Sequence, residues 1–382
     1  MRRDIFSDEH ELFRDEFRRF AEAEIAPQVD AWNRAGTTDK ATWKKLGEAG
    51  FLGANAPEEY GGAGGDFLFD AIIMEELARI RAHALMVSLH SDICMPYLKE
   101  YGDEEQKRKW LAGAIAGDVV LAIAMTEPGT GSDLANVQTK AIREGDEYVL
   151  NGAKTFISNG QISDLVIVVA KTDPDSVPPH DGISLVLVEG DRAGFRRGRN
   201  LEKLGLKGQD TSELFFEDCR VPVSNLLGQE GQGFKMLMNM LQQERLSIAV
   251  ASMASCRRAL EDTIQYTKER RAFDKPIAAF QNTQFKLAEL ATEVEVGQAF
   301  VDKLLAAHVR GDEIVSEVSM AKWWTTDLQK RLTSECLQLH GGYGFMREYP
   351  ISQDYADAAV QSIYAGTNEI MKVIISRKLG LG

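Results

Sequence analysis

Apolar residues recur at helical spacing at both ends of the chain and at strand spacing in its middle. Near the N-terminus, Leu12, Phe13, Phe17, Phe20, Ala21 and Ile25 follow the three-to-four-residue period that lines one face of a helix. Ser7 ahead of Asp8-Glu9 predicts the cap of that helix, and Pro27 predicts a break or kink. Glu75, Leu77 and Ala78 belong to a second helix-forming stretch. From about residue 119 the pattern shortens. Residues 119–125, 148–152, 165–170, 183–188 and 213–216 are apolar or alternating runs of strand length, punctuated by Gly, Asp, Asn and Pro. No long helical period separates them, which predicts an antiparallel β-domain and not a doubly wound parallel sheet. From about residue 223 the helical period returns in long stretches. Phe234, Leu237, Leu241, Ile248, Leu260 and Ile264 carry one, and Phe285, Leu287, Leu290, Val294 and Phe300 carry another. The expected fold is therefore α+β in three domains: a helical domain (1–118), an antiparallel β-domain (119–222) and a four-helix-bundle-like domain (223–382).

Charge and cysteine content narrow the classes of function. With 382 residues and a formal net charge of −14, the chain lacks the basic surplus that nucleic acid or an anionic membrane would attract. Cys94, Cys219, Cys256 and Cys336 form no CxxC pair and read as buried, reduced thiols. The longest apolar runs are far too short to span a bilayer. The N-terminal MRRDIFSDEH carries no apolar signal region, so a cytoplasmic protein is expected.

Several common sites are absent. No GxGxxG lies between a strand and a helix, and there is no P-loop and no GxSxG elbow. His10-Glu11 has no second His at zincin spacing, and the other His are scattered, so no metal site is expected. The Gly-rich loop 57–66, PEEYGGAGGD, fits either a phosphate cradle or a plain loop before a helix.

What is present is a set of polar, glycine-containing loops. AMTEPGTGSD (124–133) follows a strand and offers hydroxyls and amides to heterocycle edges or phosphate oxygens. FISNG (156–160) closes another strand with an aromatic and a hydroxyl two residues apart. ERRAF (269–273) follows a long helix with an Arg able to clamp a diphosphate. QLHGGYGF (338–345) ends a helix in glycines, and IYAGTNEI (363–370) is a turn ahead of a helix. Singly each is a fair turn. Together they fit a large folded cofactor.

These five blocks, in this order and at these intervals, resemble the acyl-CoA dehydrogenase flavoproteins, over residues 5 to 380. The resemblance implies an α–β–α fold, a homotetramer, FAD as cofactor, an acyl-CoA substrate and an electron-transfer flavoprotein as acceptor. It implies that Met125, Thr126 and Ser132 contact flavin and phosphate. Phe156 then packs on the isoalloxazine, with the Ser158 hydroxyl near N5. Arg270, Phe273 and Gln281, with Gln338 and Gly342, match residues that reach the FAD of an adjacent subunit. Thr367 and Glu369 match contacts on FAD beside the last turn, and the backbone N–H of Glu369 or of the turn itself matches a contact to the thioester oxygen. Ser132, Arg245, Tyr364, Ala365 and Gly366 match substrate-facing positions. One position departs: Ala356 stands where an Arg precedes the Asp kept as Asp357.

The family reaction has a carboxylate take the α-proton while the β-hydrogen leaves as hydride to flavin. Many members carry that Glu in the last turn, as Tyr-Glu-Gly-Thr. This chain has Ala365 there, and alanine accepts no proton. Dehydrogenation is lost, or an activated substrate needs no base, or the base lies elsewhere. The long-chain and isovaleryl branches place it in a Glu-Arg-Leu on a long helix, and Glu244-Arg245-Leu246 matches. The bland alternative is a helix-surface Glu244 beside a solvated Arg245. The resemblance thus favours a long-chain acyl-CoA dehydrogenase with Glu244 as base. Alternatives are a branched short-chain enzyme, a same-fold oxidase, hydroxylase or desulfinase, and a non-enzymatic binding protein.

Overall fold

A computed structural model describes residues 3–381. The N-terminal part is helical: α1 (Asp8–Phe20), α2 (Val29–Ala35), α3 (Lys40–Glu48), α4 (Phe67–Arg79), α5 (Met95–Tyr101), and the short α6 (Glu104–Gln106) and α7 (Ala112–Ile115). Ser7 caps α1 as expected. Its side chain accepts from the His10 N–H, and the His10 ring in turn bonds the Ser7 N–H, so two orphan donors are satisfied reciprocally. At Pro27 the helix gives way, through a π-helical turn (Ala21–Ile25) and a 3-10 turn (Ala26–Gln28), to α2. The loop 57–66 ends in Asp66, which caps α4 by accepting from the Leu68 N–H.

The middle part is one sheet built from β1 (Leu121–Ala124), β2 (Lys140–Glu144), β3 (Glu147–Ser158), β4 (Leu165–Lys171), β5 (Ile183–Glu189), β6 (Phe195–Asn200), β7 (Thr211–Pro222) and β8 (Leu226–Leu227). Its order is β6-β7-β3-β2-β4-β5-β8, with β1 paired to β4. Most pairs are antiparallel, but the sheet is not wholly so. β1 runs parallel to β4, from Leu121↔Leu165 to Ala124↔Val168, and β2 meets β4 in parallel at Lys140↔Lys171. The reason is the route of the chain: it leaves β1 by a loop and the β2–β3 hairpin, then re-enters β4 from the end at which β1 began. No helix is needed for that crossover, so no helical period marked it.

The C-terminal part is helical again: α8 (Gly233–Glu269), a small hairpin of β9 (Arg271–Ala272) and β10 (Lys275–Pro276), α9 (Gln281–Val309), α10 (Val315–His340), α11 (Pro350–Ala358) and α12 (Asn368–Lys378). Three helices are long; the shorter α11 and α12 pack against α10 to complete the bundle. No helix of the described residues is long and apolar enough to cross a membrane. All four cysteines are buried and unpaired.

One helix ties the N- and C-terminal cores together. Phe67, Leu68, Ala71 and Met74 of α4 join the C-terminal core, while Ile73 and Leu77 join the N-terminal one. Its end is clamped electrostatically. Arg81, at φ +58°, donates from Nε and Nη2 to the two carboxylate oxygens of Asp354, both at 2.8 Å, and from Nη2 to Asp262 at 2.7 Å. The β-domain is tied to α11 nearby: Gly205 lies so close that an added Cβ would sit 2.4 Å from the Ala356 carbonyl oxygen. The Leu206 N–H donates to the Asp357 carboxylate. Arg81→Met would strand the buried Asp354 carboxylate. The variant is expected to lose about 3 kcal/mol of stability, read as a lower urea midpoint at unchanged slope.

Candidate active site

Residues 244–250 in the middle of α8 are buried without interruption, because the helix there is covered by α4, α5 and α10. Glu244 is therefore an acid inside the protein, 4% exposed. Its Oε1 accepts one hydrogen bond, from the Tyr97 hydroxyl of α5 at 2.9 Å. Burial pushes the Glu244 carboxyl up to about 7, opposed by the Tyr97 hydrogen bond and the Arg245 charge. A carboxyl poised there is a mixture of acid and base at neutral pH.

Arg245 is equally buried, so the alternative of a solvated ion pair on a helix surface is overturned: no salt bridge joins Arg245 to Glu244 among the described residues. Its Nε has no hydrogen-bond partner, and its Nη2 lies 3.9 Å from where a Cβ of Gly366 would stand. The guanidinium thus faces the 364–367 turn. That turn is anchored from α10, where fully buried Lys322 donates to the Gly366 carbonyl at 2.8 Å and to Asn368 Oδ1 at 3.1 Å. Burial, and then the Arg245 charge, push Lys322 down to about 8. Within the turn Tyr364 donates its hydroxyl to Gln361 at 2.7 Å. Ala365 holds φ +51° and Gly366 φ +88°, both left-handed. Thr367 caps α12, accepting from the Ile370 N–H. Arg245 and Lys322 thus meet the turn at Gly366, while Glu244, next to Arg245 in sequence, meets Tyr97.

A second group lies on the β-domain. The 125–139 loop is pinned to the end of β3 by a buried ion pair. Lys154 donates to Glu127 Oε1 at 2.8 Å and to the Met125 carbonyl at 3.0 Å, and the Thr155 N–H donates to the Thr126 carbonyl at 2.9 Å. The same Glu127 carboxylate accepts from the Gln138 and Thr139 N–H groups. Ser132 stands exposed on this loop. A register shift between Lys154 and Ile157 breaks the alternation of β3, and Phe156 takes φ +59° with its ring 65% exposed. Ser158, half-buried, ends the strand opposite Thr211.

A third group stands apart. Arg270, Gln338 and Gly342 line a concavity of about 510 Å³ with Tyr266, His340 and Tyr343, the Arg270 guanidinium lying 5.3 Å over the Tyr343 ring. Phe273, 88% exposed on the β9–β10 hairpin, and Gln281, exposed at the start of α9, lie outside its lining. Glu369 is exposed in the first turn of α12. No hydrogen bond among the described residues joins this concavity to Glu244.

The residues fit a dinucleotide with a flat ring system. An exposed aromatic face, a hydroxyl-bearing loop and a guanidinium answer its ring and its diphosphate. Glycines give a further sign: around Gly129, Gly131 and Gly342 an added Cβ would meet nothing within 4 Å, and none of them takes a left-handed φ. The chain itself does not require glycine at these places; close approach of another molecule would.

Comparison with known proteins agrees. The N-terminal, middle and C-terminal domain models of acyl-CoA dehydrogenase match residues 7–118, 122–219 and 231–380. The long-chain specific mitochondrial acyl-CoA dehydrogenase of Mus musculus is 49% identical, over 99% of this chain and 88% of its own length. The crystal structure of an acyl-CoA dehydrogenase from Geobacillus kaustophilus superposes with a TM-score of 0.98 at 51% identity, over 99% of this chain and 100% of that one. A solved FAD complex of PigA superposes with a TM-score of 0.93 at 28% identity, over 98% of each chain. Fold and site together define an FAD-binding oxidoreductase. More narrowly, the chain belongs to the acyl-CoA dehydrogenase family.

Burial of Glu244 has a signed effect on stability. Its pKa is raised on folding from the usual 4.5 to about 7, so the folded state keeps a proton that the unfolded chain releases. Stability from this group is full below the unfolded value and falls as pH rises towards 7. Glu244→Gln, which keeps an acceptor for Tyr97, is therefore expected to be more stable than wild type at pH 8 by on the order of 3 kcal/mol and to match it near pH 4. Urea denaturation at the two pH values measures the difference.

Proposed function

We propose that this protein dehydrogenates a long-chain acyl-CoA to the trans-2-enoyl-CoA, as in fatty-acid β-oxidation, with Glu244 as the base. One observation carries the reading: Glu244 is a carboxyl that burial brings to near neutral pKa, and its neighbour Arg245 faces a turn that offers only Ala365 in place of an acid. A carboxylate in water is too weak to remove a proton next to a thioester. Desolvation strengthens it, and a pKa close to the working pH keeps a useful fraction ionised. In the proposed step the α C–H bond breaks, the proton passes to Glu244, and the electron pair moves towards the thioester oxygen. The positive charges of Arg245 and Lys322 favour negative charge at the turn beside them. Bound FAD supplies the acceptor for the β-hydrogen and its electron pair. Met125, Thr126 and Ser132 of the pinned loop, with Phe156 and Ser158, would hold the flavin end, and Thr367 and Glu369 would flank it.

Arg270, Phe273, Gln281, Gln338 and Gly342 would serve the FAD of a second copy, which accounts for their separation from Glu244. A homotetramer is the assembly proposed. Exposed Phe285 and Val296 on α9 give such an assembly apolar surface to bury. Electrons would pass to an electron-transfer flavoprotein. The likeness to the mouse long-chain enzyme supports the chain length over the branched short-chain alternative.

Glu244→Gln is expected to keep FAD and to bind palmitoyl-CoA, yet to lose flavin bleaching by at least about a hundredfold, the usual scale of a general base. Bleaching at the wild-type rate would refute the assignment. Across a panel of acyl-CoAs, bleaching should be fastest with long straight chains; a preference for isovaleryl-CoA would give the branched alternative.

A further inference from the structure

The Tyr97–Glu244 contact joins two parts of the chain 147 residues apart, and it is the one hydrogen bond the carboxyl takes from the described residues. Tyr97 is fully buried on α5, just after the π-helical turn Leu89–Cys94, and its ring packs near Tyr101, centroids 6.4 Å apart. A phenol this buried needs a partner for its O–H, and Glu244 Oε1 is the partner it has.

We propose that Tyr97 is the positioning residue of the base: its hydroxyl holds Oε1 and so turns Oε2 towards the substrate. The inference rests on Glu244 being the base and adds a device that the family resemblance did not assign. Its physical content is twofold. A donor to one oxygen fixes the rotation of a carboxylate that has no other bond to hold it. The same donor stabilises the ionised form and offsets part of the desolvation that pushes the carboxyl up. Burial and the Glu244 charge in turn hold the Tyr97 hydroxyl well above its ordinary pKa, so it stays a donor throughout the working range.

The other ionisable groups around the carboxyl do not duplicate this role. Cys94, on the turn before α5, stays a neutral thiol because burial raises its pKa far above neutral. Arg245, on the same helix, makes no bond to Glu244 and faces the 364–367 turn, with Lys322 of α10 beyond it. On the far side, Gln243 donates to the Asp92 carbonyl at 2.7 Å. The Asp92 carboxyl is buried, and burial first and Asp70 of α4 second push its pKa well above the usual carboxylate range.

The test is single-turnover bleaching of FAD-loaded protein by palmitoyl-CoA, followed against pH in wild type, Tyr97→Phe and Glu244→Gln. Tyr97→Phe should keep its FAD and shift the midpoint of the pH profile upward by about one unit, the scale of a lost hydrogen bond to a charged group. Its rate should fall several-fold at pH 7 and recover in large part at higher pH. Incorporation of 3-fluorotyrosine at position 97, a stronger donor of nearly the same shape, should move the midpoint the other way and covers the case in which the Phe variant folds poorly. A midpoint unmoved in both variants, with Glu244→Gln inactive, overturns the role of Tyr97 alone. Wild-type bleaching in Glu244→Gln overturns the base assignment and this inference with it.

Discussion

Burial of one carboxyl at the meeting of α5 and α8 is the constraint around which the site is arranged. An acid is costly to bury because its charged form loses water, and the protein tolerates Glu244 there because Tyr97 supplies a hydrogen bond and Arg245 a nearby charge. Neither fully offsets the desolvation. The residue is left close to neutral pKa, the range in which a carboxyl can both take and give a proton at working pH. The α4 helix makes the burial possible, since its two faces belong to the two helical cores and bring α5 and α8 together. Arg81, clamped to Asp354, keeps the end of that helix in place.

The turn at 364–367 shows the same logic in reverse. Two buried cations face or anchor it, and the residue between them and Tyr364 is an alanine in a left-handed conformation that alanine does not favour. The turn has positive charge behind it and no acid within it. In the proposed reading Glu244, next to Arg245 in sequence, supplies the acid that the turn lacks. The flavin side of the site is organised by a different buried pair. Lys154 and Glu127 fasten the 125–139 loop to the strand end that turns Phe156 outward, so a single ion pair fixes two of the loops expected to hold the cofactor.

Much of this was legible along the chain. The cap at Ser7, the break at Pro27, the strands with apolar cores and the long C-terminal helices all follow from local chemistry, and the structure has them. The candidate base could be read only by combining a vacancy at Ala365 with a Glu-Arg-Leu more than a hundred residues earlier. Other features had no local signal. β2 (KAIRE) and β6 (FRRGRN) are polar strands; β6 lies at the sheet edge, held by its backbone pairing to β7, so no apolar alternation announces it. The parallel pairing of β1 with β4 depends on the path between them. Tyr97, Lys322 and Lys154 read as ordinary helix or strand residues, and only their contacts across the fold reveal that each is buried against a turn, a loop or an acid. Arg245 is the sharpest case: a charged residue beside a Glu on a helix reads as solvated, and it is buried.

The central claim is that Glu244 moves the α-proton, and proton exchange tests it apart from the redox step. An acyl-CoA with no hydrogen on its β-carbon can lose and regain its α-proton but cannot be oxidised. Incubated in heavy water with the FAD-loaded protein, such a compound should take up deuterium at the α-carbon, at a rate that rises with pH through a midpoint near 7, the value to which burial moves Glu244. Glu244→Gln should abolish the uptake. Undiminished deuterium uptake in that variant would contradict the account.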